Sequence, residues 1–254
     1  MRTDPKTGIT YKSVIKPIGK SFSGTTVDMM TGKISVAGAE PAIDEEIANT
    51  IKVMGGEDWE LWIDAIAKEG LLSSRARTIA YTYIGPELSW AIYKNGTIGR
   101  AKEDLERAVI AINKTHGKIA WVSVNKALVT RSSAVIPIIP LYISCLFKVM
   151  KEMGLHEGCI EQITRLYKDR LYAAGIGDPA AIPTDDNGRI RIDDWEMRED
   201  VQKLTVEKMN SINAENVFAE TDLAGVRHDF YEAHGFDVPG VDYNADINTM
   251  GINL

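Results

Sequence analysis

The chain has 254 residues, 44% hydrophobic and 26% charged, with a formal net charge of −7 and a mean hydropathy of −0.14. Apolar residues run through the whole length, which excludes a disordered chain. The acidic balance disfavours a nucleic-acid partner, and two cysteines, Cys145 and Cys159, are too few for a disulfide framework. A reducing, cytoplasmic setting is expected. The longest apolar run, Ala134 to Phe147, is broken by Pro137 and Pro140 and falls short of the roughly 20 residues of a bilayer span, so no membrane association is expected. The opening Met1-Arg-Thr-Asp-Pro-Lys6 lacks the apolar stretch of a signal peptide and reads as a loop entered halfway.

Residues 1–43 are rich in Gly, Ser, Thr and Pro and read as loops with one or two short strands, over Tyr11–Ile18 and Lys33–Val36. Asp44 is expected to N-cap a helix carrying Ile47, Ile51 and Val53, ended by Gly55-Gly56. A second helix is predicted over Asp58–Lys68, with Trp59, Trp62, Ile63 and Ile66 on one face. Thr78–Ile84 reads as a buried strand stopped by Gly85-Pro86. A third helix, about Thr97–Asn113, places Ile98, Ala101, Leu105, Ala108, Val109 and Ile112 at helical spacing. The next strand lies within Lys118–Val129, so strand, helix and strand form the crossover unit of a parallel sheet. Helices are predicted over about 140–152, 156–172, Trp195–Met209 and Leu223–His234, with a turn at Asp185–Gly188.

A parallel α/β sheet raises the question of a phosphate loop. Gly175–Ala180 matches G-x-G-x-x-A as letters, but it follows a helix, and Pro179 sits where a helix should open. A turn is the better reading, and no other glycine cluster fits a dinucleotide. Metal sites fail as well. His156, Glu157 and Cys159 lack a partner pair, and the acidic residues at 185–186 lack a calcium loop's first and last ligands. No metal is expected.

Three residues remain. Tyr83 stands at the carboxyl end of a strand, where open α/β sheets bind ligands. Tyr93 and Lys102 are nine positions apart, and an unbroken helix would turn about 900° between them and put them on opposite faces. Asn95-Gly96-Thr97 breaks it, with Thr97 as N-cap, so Tyr93 can sit on the preceding loop while Lys102 faces it from the second turn. An ammonium near a phenol would lower its pKa and suit it to donating to a developing oxyanion. Two ordinary surface residues would leave the same pattern.

The surrounding stretches are more specific. Val53-Met-Gly-Gly-Glu-Asp-Trp59, Tyr93-x8-Lys102, Ser123-Val-Asn-Lys-Ala-Leu-Val-Thr130, Ile136-Pro-Ile-Ile-Pro-Leu-Tyr142, Lys148-Val-Met-Lys-Glu152, His156-Glu-Gly-Cys-Ile-Glu-Gln162 and Gly240-Val-Asp-Tyr243 resemble, in order, the trans-2-enoyl-CoA reductase (FabV-type enoyl reductase) family. The resemblance implies NADH-dependent reduction of the C2–C3 double bond of an enoyl thioester on CoA or acyl carrier protein, in fatty acid synthesis. Tyr93 would hold the enolate oxygen, Lys102 the nicotinamide ribose, and Tyr83 the thioester carbonyl. Leu128, Val129 and Thr130 would line the nicotinamide.

The implied fold is a partial Rossmann-like parallel sheet, an α/β class. Residues 1–132 would be the C-terminal part of the catalytic domain, 133–175 substrate-lid helices and 176–254 a helical C-terminal segment. From hydrophobicity alone the run after Ala134 reads equally as a core helix. The family is longer, and the chain resembles its C-terminal portion. A truncated gene model, a split gene or a fragment would all look like this. The phosphate loop and the acidic residue selecting NADH fall outside it. No flavin is expected, and the full-length form is expected to be a monomer. Two alternatives stay open: a non-catalytic or acyl-CoA-binding unit without the dinucleotide site, and a related reductase acting on other enones.

Overall fold

The computed structural model describes residues 1–173, 175 and 177–246. Ile176, inside the Gly175–Ala180 stretch, and the 247–254 end of the C-terminal segment lie outside the described residues. In chain order the strands and α-helices are β1 (Arg2–Thr3), β2 (Thr10–Tyr11), β3 (Phe22–Val27), β4 (Ile34–Ala39), α1 (Asp44–Met54), α2 (Glu57–Lys68), β5 (Thr78–Thr82), α3 (Thr97–His116), β6 (Ala120–Val124), α4 (Ile139–Glu152), α5 (Cys159–Leu166), β7 (Ile190–Arg191), α6 (Glu199–Ser211), α7 (Val217–Glu220) and α8 (Leu223–Glu232).

The crossover expected from the sequence is present. β5 and β6 pair in parallel, Thr78 opposite Ala120 through Thr82 opposite Val124, and α3 joins them, its buried stripe running through Ile98, Ala101, Leu105, Ala108 and Ile112. β7 adds a third parallel strand beside Ser123 and Val124. It was not expected, because two residues carry no readable alternation. The strand read as buried at Thr78–Ile84 stops at Thr82 and is only half covered, with Tyr81 47% exposed. β5 is an edge of the described sheet, so one flank has no neighbour to cover it.

Other boundaries move for local reasons. Tyr11–Ile18 contributes only Tyr11 to a strand, whereas Phe22–Val27 and Ile34–Ala39 form an antiparallel hairpin. Asp28 accepts the backbone N–H of Met30 and Thr31 in its turn, and Gly32 supplies a positive φ there. The Gly-Ser-Thr composition of β3 hid the strand. Ile43, not Asp44, N-caps α1, its N–H bonded to Glu46 at 3.1 Å. The helix read over 156–172 is α5 followed by a π-turn at Tyr167–Leu171, and α6 starts at Glu199 rather than Trp195. Of the α2 face, Ile63 is buried while Trp62 is 70% exposed.

The core centres on α4. Tyr142, Cys145, Leu146, Phe147 and Met150 are fully enclosed, and the helix packs on α6, α8 and β3. One buried cluster joins Met29, Ile92, Ala127, Tyr142, Val201 and Val226. The Pro-broken run is therefore a core helix from Ile139 onward, and one of its faces, Ile139 and Ile143, fronts the cavity described next.

Candidate active site

At the carboxyl ends of β5 and β6 lies a cavity of about 570 Å³. Tyr83, Tyr93, Lys102, Leu128 and Thr130 line it together with Asn125 and Lys126. Val129 does not. It is 9% exposed and packs into the central cluster, because successive residues of this extended segment alternate sides. Ile136, Ile139 and Ile143 make an apolar wall. Ile138, just ahead of α4, holds φ +69, a strained value for a β-branched residue.

Two loops present the phenols. Tyr83 follows β5 directly, and Gly85, at φ +69, lets the chain fold back beneath the Tyr83 ring, where a Cβ would come within 2.6 Å of the hydroxyl. The indole N–H of Trp90 ties this loop down on the Gly85 carbonyl at 2.9 Å. Tyr93 sits on the turn before α3. Its N–H donates to Ser89 O at 2.9 Å, and its carbonyl accepts from Gly96 and Gly99, each at 3.1 Å. Gly96 is the N-cap and Thr97 the first helical residue, so the cap lies one position earlier than expected at Thr97. Thr97 Oγ1 donates to Val14 O at 2.6 Å and pins the helix start. The two phenol rings meet edge to face with centroids 5.3 Å apart.

The electrostatics correct one expectation. Lys102 does not lower the Tyr93 pKa; burial pushes that phenol up to about 12. Burial also holds the Lys102 ammonium below its ordinary value. Among the described residues Lys102 has no hydrogen-bond or ion-pair partner. A partly enclosed ammonium with unused donors fits an acceptor supplied by a ligand, such as a ribose hydroxyl.

The sequence reading missed the polar floor of the cavity. Lys126 is 2% exposed, its ammonium 2.9 Å from Ala127 O and 4.2 Å over the Phe147 ring. Burial brings its pKa down to about 8, against the opposing charges of Glu196, Asp229 and Glu157. Glu196 is fully buried and accepts from Tyr83 Oη at 2.9 Å, Tyr142 Oη at 2.6 Å and Ala127 N at 2.7 Å. Burial raises its pKa, while Tyr142, Ala127, Lys126 and Tyr83 pull it back. Lys126 was findable, since it lies two residues past the end of β6. Glu196 was not, because 113 residues separate it from Tyr83.

A family model described as the trans-2-enoyl-CoA reductase catalytic region matches residues 1–172. The chain belongs to this family. A second model, described as an enoyl reductase FAD binding domain, matches residues 184–247. Trans-2-enoyl-CoA reductase [NADH] of Treponema denticola is 58% identical over 97% of this chain and 62% of its own length. Enoyl-[acyl-carrier-protein] reductase [NADH] of Flavobacterium johnsoniae is 55% identical over 98% of this chain and 63% of its own. The crystal structure of the Treponema denticola enzyme in complex with NAD gives a TM-score of 0.90 over 97% of this chain and 61% of that one. The chain thus spans about three fifths of the length of the curated relatives it matches.

The residues matched as FAD-binding do not fit a flavin. The apolar side chains Val201, Val217, Leu223 and Val226 of that stretch are buried in the protein's own core, and although Phe218, Phe236, Val241 and Tyr243 are exposed, a cavity lined by the stretch alone is built of Arg198, Glu199, Asp200 and Lys203 rather than a flat apolar slot for an isoalloxazine. Among the described residues no cluster suits a metal ion, and no helix is long and apolar enough to cross a membrane.

Proposed function

We propose that this cavity serves the NADH-dependent reduction of the C2–C3 double bond of a trans-2-enoyl thioester, carried on CoA or acyl carrier protein, in fatty acid synthesis. The observation that carries the reading is the meeting of Tyr93, on the turn, and Lys102, on the helix, at one cavity whose far wall is apolar. NADH, when bound, supplies a hydride to C3. Tyr93 donates a hydrogen bond to the thioester oxygen as charge gathers there, and C2 then takes a proton that comes ultimately from water. Its high pKa keeps the phenol protonated and able to donate at neutral pH. Lys102 binds the nicotinamide ribose, Leu128 and Thr130 flank the nicotinamide, and Tyr83 stands beside the thioester. Ile136, Ile139 and Ile143 hold the acyl chain and exclude water.

Residues 1–132 and 133–175 would supply these two walls of the site, and 176–254 their support. No glycine-rich strand-to-helix loop occurs among the described residues, so the proposal assigns to this chain only the nicotinamide–ribose half of the cofactor. The full-length form is read as a cytoplasmic monomer. The test joins the chain to the N-terminal part of the Treponema denticola relative and follows NADH absorbance with crotonyl-CoA. Reduction of the thioester is expected. Activity on enones or ketones but on no thioester would overturn the substrate assignment, and no reduction at all would overturn the activity.

The 62% span favours a second reading for the chain alone. It binds acyl thioesters without turnover and binds NADH in the millimolar range or weaker, a loss of about 4 kcal/mol from a micromolar site. Micromolar NADH binding by the purified chain, read from nicotinamide fluorescence, would refute it.

A further inference from the structure

Tyr83 and Tyr93 both line the cavity, but their hydroxyls differ in what they can give to it. The Tyr83 hydroxyl donates to Glu196 Oε1 at 2.9 Å. The Tyr142 hydroxyl reaches the same oxygen at 2.6 Å, and Gln202 Nε2 donates to Tyr142 Oη at 2.9 Å, which fixes the Tyr142 proton on Glu196. The Ala127 N–H takes Oε2 at 2.7 Å. An ionised carboxylate only accepts. With its proton so committed, Tyr83 offers the cavity lone pairs and no donor. The Tyr93 hydroxyl has no partner among the described residues, and its proton is available.

A glutamine would not satisfy the same neighbours. Its carbonyl would accept from Ala127 N–H, but its amide would donate toward both phenol oxygens and leave the Tyr142 proton, already turned from Gln202, without an acceptor. Accepting both phenol protons is what offsets the cost of burying a full charge here. What a carboxylate does, and an amide does not, is draw the Tyr83 proton away from the cavity.

We propose that Glu196 is a positioning residue for the reduction: it turns the Tyr83 proton out of the cavity, so that Tyr93 rather than Tyr83 donates to the thioester oxygen. It fixes the floor as well, because the Ala127 N–H it holds belongs to the segment leading to Leu128 and Thr130. The inference rests on the functional reading above. Glu196 acts through Tyr83 and touches no reacting atom.

The test uses the chain labelled with tyrosine carrying ¹³C at Cζ, with the Tyr83 resonance assigned by its loss in Tyr83→Phe. In Glu196→Gln the Tyr83 resonance is expected to move upfield, as a phenol does when it stops donating to a carboxylate. An unmoved resonance overturns the proposal. If Glu196→Gln does not fold, Tyr83→Phe decides it through the Glu196 carboxyl ¹³C titration. Loss of the donor should raise the midpoint by about one to two pH units, and an unchanged midpoint overturns the proposal.

In the chain joined to its relative's N-terminal part, adding Glu196→Gln to Tyr93→Phe is expected to recover at least about tenfold in kcat, because Tyr83 then has a proton to donate. A purely structural Glu196 would give a further loss, and that result also overturns the proposal. If no form of the joined protein reduces an enoyl thioester, the functional reading falls, while the Tyr83 resonance still decides the role of Glu196.

Discussion

Replacing Gly99 by alanine should disturb Tyr93 without touching its side chain. Gly99 is the third residue of α3 and lies beneath the turn that carries Tyr93. Its N–H donates to the Tyr93 carbonyl at 3.1 Å. A helical Cβ points back toward the N-terminus, and here it would run into the Lys94 carbonyl oxygen, with the carbonyl carbon at 2.5 Å and the Tyr93 oxygen at 3.1 Å. Ordinary contact for such atoms begins at 3.4 Å, so the Lys94 carbonyl oxygen must withdraw by about 2 Å. Overpacking of this kind costs about 1–3 kcal/mol, and the helix preference of alanine over glycine returns about 1 kcal/mol. The net loss, up to about 2 kcal/mol, lowers Tm by at most roughly 4–8 °C in a chain of this size. A misplacement of about 1 Å at a catalytic group costs about 10² in rate. Calorimetry of the chain and kcat of the joined protein measure the two effects. A Tm raised by several degrees with unchanged kcat, the outcome of helix propensity alone, would refute the reasoning.

In the same joined protein Tyr93→Phe should lower kcat on the order of 10² to 10³ with little change in KM, as removal of an oxyanion donor does; an unchanged kcat moves the donor elsewhere. Lys102→Ala should weaken NADH binding, measured by fluorescence titration, and unaltered affinity would remove Lys102 from the ribose. Lys126 titrates at about 8 in the fold against 10.5 unfolded, so the unfolded chain holds an extra proton between those values and stability rises with pH across that window, by up to about 3 kcal/mol. Urea unfolding of Lys126→Met at pH 7.5 and 9.5 should lack that rise, and identical pH slopes would contradict it. His156 is held down at about 4, chiefly by burial, against 6.5 unfolded. Stability should therefore fall as pH drops from 6.5 through 4, by about 1–2 kcal/mol after discount for its partial exposure. His156→Phe should flatten this acid limb in a pH series of unfolding midpoints, and an unflattened limb would exclude His156 as its source.

What the sequence alone determined is local. The apolar stripe of α3 repeats at 3.6 residues, Gly85-Pro86 stops the strand before it and Gly117 ends the helix, so the parallel crossover follows from patterns a few residues long. The Asn95-Gly96 break separates Tyr93 from the helix of Lys102 for the same reason. Short-range hydrogen bonding also marked the turn at Asp185–Gly188, where Gly188 N–H donates to Asp185 O at 2.9 Å.

The tertiary structure decided whatever depends on partners far along the chain. β3 and β7 are strands because β4 and β6 lie beside them, not because their own residues alternate strongly. Val129 turned inward while Leu128 and Thr130 turned toward the cavity, a choice set by which side of the segment the central core occupies. The expected depression of the Tyr93 pKa failed because residue spacing does not report burial, and burial outweighs any effect of Lys102. Glu196 meets Tyr83 across 113 residues only because β7 docks on β6 and carries the following turn to the floor of the site. No local pattern specifies such a contact: a glutamate in a loop is ordinarily solvated, and only the packing of α4 and α6 around it turns the same residue into a buried acceptor for two phenols.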